Sequence, residues 1–192
     1  MPVNLSKGQR ISLEKESGQK LSKVIMGLGW DQKKGGWLSF LSSGGDIDLD
    51  ASCISFDENK NMIDSIWFRQ LRSKDGSIKH SGDNRTGEGE GDDESIFVDL
   101  SAIPQNVKYL VFTISSFTGQ TFEAINNAFC RLVNQANNQE IARYNLTGGG
   151  KYTAQIMVKL YRHEGEWKMH AVGEGTSGST FKDMLPAIQS QL

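Results

Sequence analysis

Gly82-Asp83-Asn84-Arg85-Thr86-Gly87-Glu88-Gly89-Glu90-Gly91-Asp92-Asp93-Glu94 runs directly into Ser95-Ile96-Phe97-Val98-Asp99-Leu100, and the two halves read differently. From Asp83 to Glu94 half of the residues are carboxylates, and glycine takes every second position over 87–91. Glycine weakens helices and strands alike, and adjacent carboxylates repel. Such a segment folds tightly only around positive charge. A hard divalent cation suits it: Ca²⁺ takes about six to eight oxygens, and glycine lets backbone carbonyls turn toward the ion. The second half alternates, with Ile96, Val98 and Leu100 on one face and Phe97 and Asp99 on the other, as a half-buried strand does. Asp93 and Glu94 therefore lead from an ion-demanding loop straight into a sheet.

Upstream, Asp46-Ile47-Asp48-Leu49-Asp50-Ala51 alternates strictly. On an extended strand Asp46, Asp48 and Asp50 share one side while Ile47, Leu49 and Ala51 share the other. Carboxylates so aligned repel unless water or a cation separates them. Neither acidic cluster is an EF-hand. Counted from Asp46, the sixth position is Ala51 and the twelfth Asp57; counted from Asp83, the third and fifth are Arg85 and Gly87. The flanks read as strands, so the ion is expected at the loops and edges of a β structure.

Outward from these clusters, strands are expected over 10–15, 24–30, 48–56, 65–71, 78–81, 95–100, 109–115, 128–134, 140–146, 153–162 and 166–172. A short helix is expected over 121–127, where Phe122, Ile125 and Phe129 fall on one helical face. A C-terminal helix over 179–192 carries Phe181, Met184, Leu185, Ile188 and Leu192 on one side, and Pro186 is expected to kink or fray it. Residues 173–179 read as a flexible link. Many short strands separated by turns such as Lys74-Asp75-Gly76-Ser77 point to a mainly β protein, a β-sandwich forming one domain over 1–192. The 32–45 segment is Gly-rich yet carries Trp37, Leu38, Phe40 and Leu41 between two glycine pairs. It reads either as a cover over the sandwich or as an exposed contact loop.

The formal net charge of −2 supplies no basic field for nucleic acid. No apolar run is long enough to span a membrane, and residues 1–10 lack a signal-peptide core. Cys53 and Cys130 sit in alternating apolar segments, the pattern of buried free thiols in a reducing compartment. Cytoplasm is the expected location.

The blocks Gly27-Leu28-Gly29-Trp30-Asp31, Asp46 to Ala51 and Gly82 to Glu94 resemble the three signature blocks of the TerD family, linked to bacterial tellurium resistance and general stress response. Leu5-Ser6-Lys7-Gly8, Asn127-Ala128-Phe129, Ala142-Arg143-Tyr144 and Leu160-Tyr161-Arg162-His163 resemble it as well. Ile66-Trp67-Phe68-Arg69, Ser116-Phe117 and Phe129-Cys130-Arg131 are similar to its TerZ branch. The 32–45 segment departs from the pattern in being longer. The resemblance implies a calcium-binding β-sandwich acting as a binding or scaffold module. It implies other tellurium-resistance proteins as partners, in a membrane-associated complex. In that family the first block accompanies the calcium motifs, which leaves Asp31 open between a turn residue and a ligand. The expected metal ligands are Asp31, Asp46, Asp48, Asp50, Asp83, Asn84, Glu88, Asp92, Asp93 and Glu94. These exceed the shell of one ion, so two Ca²⁺ ions are expected.

The sequence carries none of the common catalytic motifs. His80, His163 and His170 form no H-E-x-x-H pair, and no G-x-S-x-G elbow occurs. Gly148-Gly149-Gly150-Lys151-Tyr152 lacks the first glycine of a phosphate loop at Asn145 and the Ser/Thr that follows its lysine. Two alternatives to the scaffold reading are a metal-assisted hydrolase and a calcium-dependent module that binds a membrane surface or ligand.

Overall fold

Period-two patterning builds two six-stranded sheets in the computed structural model, which describes residues 2–32, 48–82, 91–146 and 150–192. The side chains at 31, 32, 126 and 127 are outside that description. The first sheet contains β1 (Val3–Leu5), β3 (Lys23–Gln32), β6 (Ile78–His80), β7 (Glu94–Asp99), β9 (Ile125–Asn134) and β10 (Gln139–Asn145) in the order β1-β10-β9-β3-β7-β6. The second contains β2 (Arg10–Ser12), β4 (Leu49–Phe56), β5 (Met62–Ile66), β8 (Tyr109–Ser116), β11 (Ala154–His163) and β12 (Glu166–Thr176) in the order β2-β12-β11-β8-β4-β5. All pairings are antiparallel except β1 with β10.

Alternation decides which side chains meet. Val24, Met26, Leu28 and Trp30 of β3 join Ile96 and Val98 of β7 and Leu49, Ala51 and Cys53 of β4 in the core between the sheets. The second sheet is covered on its other face too. There Ile54 and Phe56 of β4, Val111 of β8 and Ile156 of β11 meet Phe181, Met184 and Ile188 of the C-terminal helix α2 (Phe181–Ser190). Two covered faces explain why every residue of β4 is buried, its polar ones included. Thr180 and Asp183 form a capping box at the start of α2, and the helix continues through Pro186 to Ser190.

Several expected bounds differ from those observed. The strand expected over 10–15 stops at Ser12, whose hydroxyl accepts from Lys15 N–H and starts the short helix α1 (Leu13–Ser17). The strand expected over 65–71 is β5, which ends at Ile66; there the chain turns back on itself through the Trp67–Gln70 pairing. The helix expected over 121–127 is a single 3₁₀ turn at Phe122–Ala124, because Ile125 already pairs with Gln32 in β9. Residues 173–176 continue β12 rather than forming a link. The first strand, β1, carries too little sequence to announce itself.

Strand direction gives the sandwich two poles. β4, β7, β9 and β11 start where β3, β6, β8 and β10 end, and this is the pole of the acidic segments. The ten residues of β3 set the poles roughly 30 Å apart. Both thiols are free and buried, and burial pushes Cys130 up to about 12 and Cys53 higher. Neither is poised as a nucleophile. Among the described residues no helix is long and apolar enough to cross a membrane.

Two expectations follow. Phe181→Ala should cost about 3–5 kcal/mol, read by chemical denaturation, since Phe181 fills the gap between α2 and the second sheet. His170 is pushed down to about 4 by burial and then by Lys159 and Arg10. The folded state therefore resists a proton that the unfolded chain accepts near pH 6.5. Stability should fall as pH drops from about 6.5 toward 4, and His170→Gln should flatten that part of the stability–pH curve.

Candidate functional site

The loop between β6 and β7 is tied down at both ends by side chains that the sandwich buries. His80 ends β6 and Glu94 opens β7, and the side chains of both have no exposure to solvent. Glu94 Oε2 accepts from the Ala51 N–H at 2.7 Å, reaching from the first sheet to the second. His80 Nδ1 accepts from the Gly82 N–H at 3.0 Å. The imidazole hydrogen is thereby assigned to Nε2, which lies 3.2 Å from the Ala51 carbonyl and 3.3 Å from Glu94 Oε2. Gly82 directly precedes the acidic loop, Glu94 closes it, and Ala51 closes the Asp46 to Ala51 block. One buried cluster thus joins both acidic segments.

The carboxylates that end the loop diverge. Asp92 lies on the outer face of the first sheet, in a two-pronged ion pair with Arg131: Nε donates to Oδ1 at 2.7 Å and Nη2 to Oδ2 at 3.1 Å. Glycine at 27 makes this possible, for a Cβ there would stand 2.0 Å from Asp92 Oδ2. Arg131 continues to Glu140 at 3.2 Å, and Glu140 to Arg143 at 2.8 Å, whose guanidinium stacks on Phe129. These arginines hold the Glu140 carboxyl below its usual range; the Arg143 hydrogen bond is the largest cause and burial opposes it. Asp93 Oδ2 accepts from the Trp30 N–H at 2.7 Å, and its own N–H donates to the Leu28 carbonyl at 2.9 Å. Glu94 points into the core. An ion drawing on Asp92 would share that carboxylate with Arg131.

Across the pole, Asp48 is half-buried and Asp50 is 5 % exposed. The Asp48 carbonyl accepts from the Phe117 N–H at 3.0 Å. Leu49 and Ala51 face the inter-sheet core, so the Asp50 side chain projects from the other face of the second sheet, the face that α2 covers further along. Asp46, Asp83, Asn84, Glu88 and the Asp31 side chain, together with the Trp37 segment, lie outside the described residues. Among the described residues no three His, Cys, Asp or Glu side chains converge as metal ligands do. The pole nonetheless supplies hard oxygen donors, partly withdrawn from water at Asp48 and Asp50, which is the chemistry Ca²⁺ takes.

Comparisons with known proteins bear directly on this arrangement. The TerD domain model matches residues 1–186. The chain belongs to the TerD family. It is 50 % identical over 190 residues to the tellurium resistance protein TerZ of Serratia marcescens, covering 98 % of this chain and 97 % of that one. It is 42 % identical over 199 residues to the stress response protein SCP2 of Bacillus subtilis, covering 96 % and 98 %. Its fold matches a crystal structure of a homologue of telluride resistance protein TerD from Streptomyces coelicolor, with TM-score 0.68 at 18 % identity, covering 88 % of this chain and 98 % of that one. A protein of unknown function gives the same TM-score at 23 % identity, covering 85 % and 95 %. The tellurium-resistance and stress-response family of this TerD-type chain is therefore established, and its fold is shared.

Two parts of the site escaped the sequence reading. His80 sits in no motif, and its partners lie 29 residues upstream and 14 downstream. Arg131 meets Asp92 only because β9 lies beside β3, with Arg131 in register with Gly27. The signal available was the Gly27-Leu28-Gly29 spacing, which marks close approach to a strand. His80→Leu should cost about 1–3 kcal/mol by leaving the Gly82 N–H and the Ala51 carbonyl short of a partner. Amide exchange should then speed up at Gly82 and Ala51 while core amides of β8 stay protected.

Proposed function

We propose that this TerD-family chain is a calcium-binding module of a tellurite-resistance and stress-response system, acting in the cytoplasm as a binding or scaffold protein for other tellurium-resistance proteins in a membrane-associated complex. The observation that carries the reading is the Glu94 to Ala51 hydrogen bond, which brings the ends of both acidic segments to one pole. Two carboxylate-rich segments held together there would repel, and a divalent cation offsets that repulsion.

The ligands we propose come from Asp31, Asp46, Asp48, Asp50, Asp83, Asn84 and Glu88, with backbone carbonyls of the glycine alternation completing the shells of two ions. Asp92, Asp93 and Glu94 serve chiefly to anchor the loop through Arg131, Trp30 and Ala51. Bound Ca²⁺ would supply charge neutralisation. The protein's own part is to hold both loop ends fixed on buried strands, so that ordering the loop costs less entropy.

Calcium should raise the melting temperature, because a ligand that binds only the folded state adds RT ln(1 + [L]/Kd), about 2.7 kcal/mol at a hundredfold excess over Kd. Mg²⁺ should do less, since it gives up its water reluctantly. Melting curves in chelator, Mg²⁺ and Ca²⁺ test this, and identical curves in all three would end the metal reading. Asp83→Ala and Asp48→Ala should each weaken calcium in calorimetric titration, whereas Glu90→Gln should matter less. Wild-type affinity in Asp48→Ala would reduce the upstream cluster to a strand face.

A further inference from the structure

Away from the acidic pole, the second sheet lines up basic side chains on its outer face where α2 ends. Val158 and Leu160 face the inter-sheet core, so Lys159 stands on the other face, opposite Val111. Register sets Lys159 beside His170 and His170 beside Arg10, one cross-strand row over β11, β12 and β2. Directly opposed side chains have Cβ atoms about 4.5–5.5 Å apart, and like charges so placed are unfavourable. Lys168 stands two residues before His170 on the same face. Lys60 reaches the same end of α2, where its carbonyl accepts from Gln189 Nε2 at 3.4 Å. The acid on that face, Glu166, accepts from the Ser12 hydroxyl at 2.9 Å. Among the described residues no acid forms an ion pair with Arg10, Lys60, Lys159 or Lys168.

Lys159 is the buried lysine of this cluster, 8 % exposed. Its Nζ donates to the Gln191 carbonyl and lies 5.6 Å and 5.8 Å from the ring centres of Tyr109 and Tyr161. Burial, then Arg10 and Lys60, push this amine down to about 8. A lysine both desolvated and set beside other cations keeps the neutral amine that attacks electrophiles. Burial admits a small electrophile in preference to a bulky acyl donor. The surrounding cations select one whose adduct is an anion, which a Schiff base is not. Carbon dioxide meets both conditions. We propose that Lys159 captures dissolved CO₂ as a lysine carbamate. The Nζ lone pair forms the N–C bond, one C=O π pair moves onto oxygen, and an amine proton leaves to solvent. Lys–NH₂ and CO₂ thus give Lys–NH–COO⁻ and H⁺. The remaining N–H still has the Gln191 carbonyl as its acceptor, and a negative charge replaces a positive one beside Arg10 and Lys60. Repulsion within the row becomes attraction at the end of α2. Nothing in this site draws on the calcium reading.

The test is ¹³C NMR of the full chain, labelled with ¹⁵N-lysine, in ¹³C-bicarbonate near the pH where this amine is half neutral. A carbamate carbonyl split by its bonded ¹⁵N should appear in the wild type and vanish in Lys159→Arg, which keeps the positive charge. The α-amine of the chain carries no ¹⁵N and cannot give that splitting. Arg10→Gln, a change at an exposed side chain, should reduce the signal about threefold or more. Trapping by O-alkylation and peptide mapping should locate the adduct on Lys159 of the wild type, without relying on any variant to fold. At matched pH, CO₂ should raise the melting temperature of the wild type and not of Lys159→Arg, because an adduct formed only on the folded chain stabilises it. A split signal that persists in Lys159→Arg overturns the proposal, as does the absence of a trapped adduct on Lys159 or an equal melting shift in both chains. A wild-type signal in Arg10→Gln overturns the selection of CO₂ by the surrounding charge.

Discussion

The hydrogen bond from the Ala51 N–H to Glu94 Oε2 is the constraint on which the acidic pole depends. A carboxyl without solvent exposure is costly unless its oxygens are satisfied. Here the cost is met by a backbone donor from the opposite sheet, beside the His80 ring, whose Nε2–H donates to the Ala51 carbonyl and lies 3.3 Å from Glu94 Oε2. Because Ala51 belongs to β4 and Glu94 to β7, the sheets are fixed to each other at the pole where the loop must be held. Because His80 also accepts from Gly82, the same cluster fixes the loop's entry. An otherwise self-repelling segment starts and ends on rigid ground.

Around this cluster the remaining carboxylates are sorted by strand geometry. Successive residues 92, 93 and 94 go to the outer face, to the backbone of β3 and to the core, each with a partner of different chemistry. This spreads negative charge over both faces of the first sheet instead of concentrating it. The Asp92–Arg131–Glu140–Arg143 chain alternates sign along the outer face. It braces the loop's exit against β9 and β10, the strands that also carry Phe129.

The two poles differ in how charge is treated. At the acidic pole Asp92, Asp93 and Glu94 are engaged with an arginine side chain or backbone N–H groups. At the other pole the contacts of the Arg162 guanidinium among the described residues are with neutral acceptors and the Trp167 ring. A sandwich of mainly antiparallel strands allows this division, since the long strands run from one pole to the other and each set of connections can specialise without disturbing the core.

The sequence by itself determined the fold class, the two acidic segments and the C-terminal helix. Those signals are local: period-two alternation in Ile96, Val98 and Leu100, glycine punctuation over 87–91, and helical spacing of Phe181, Met184 and Ile188. The family was legible for the same reason, as its signature blocks are contiguous. Local signals failed where neighbours outweighed them, as at Ile125, where pairing with Gln32 overrode a helical pattern. What only the tertiary structure decided was which face each carboxylate takes and which cation or N–H meets it. Arg131 reaches Asp92 across a strand pair, His80 reaches Glu94 through the core, and Arg162 meets Ile103 across the opposite pole. Such partners are set by sheet order and register, which contacts between residues distant in the chain select and no short stretch encodes.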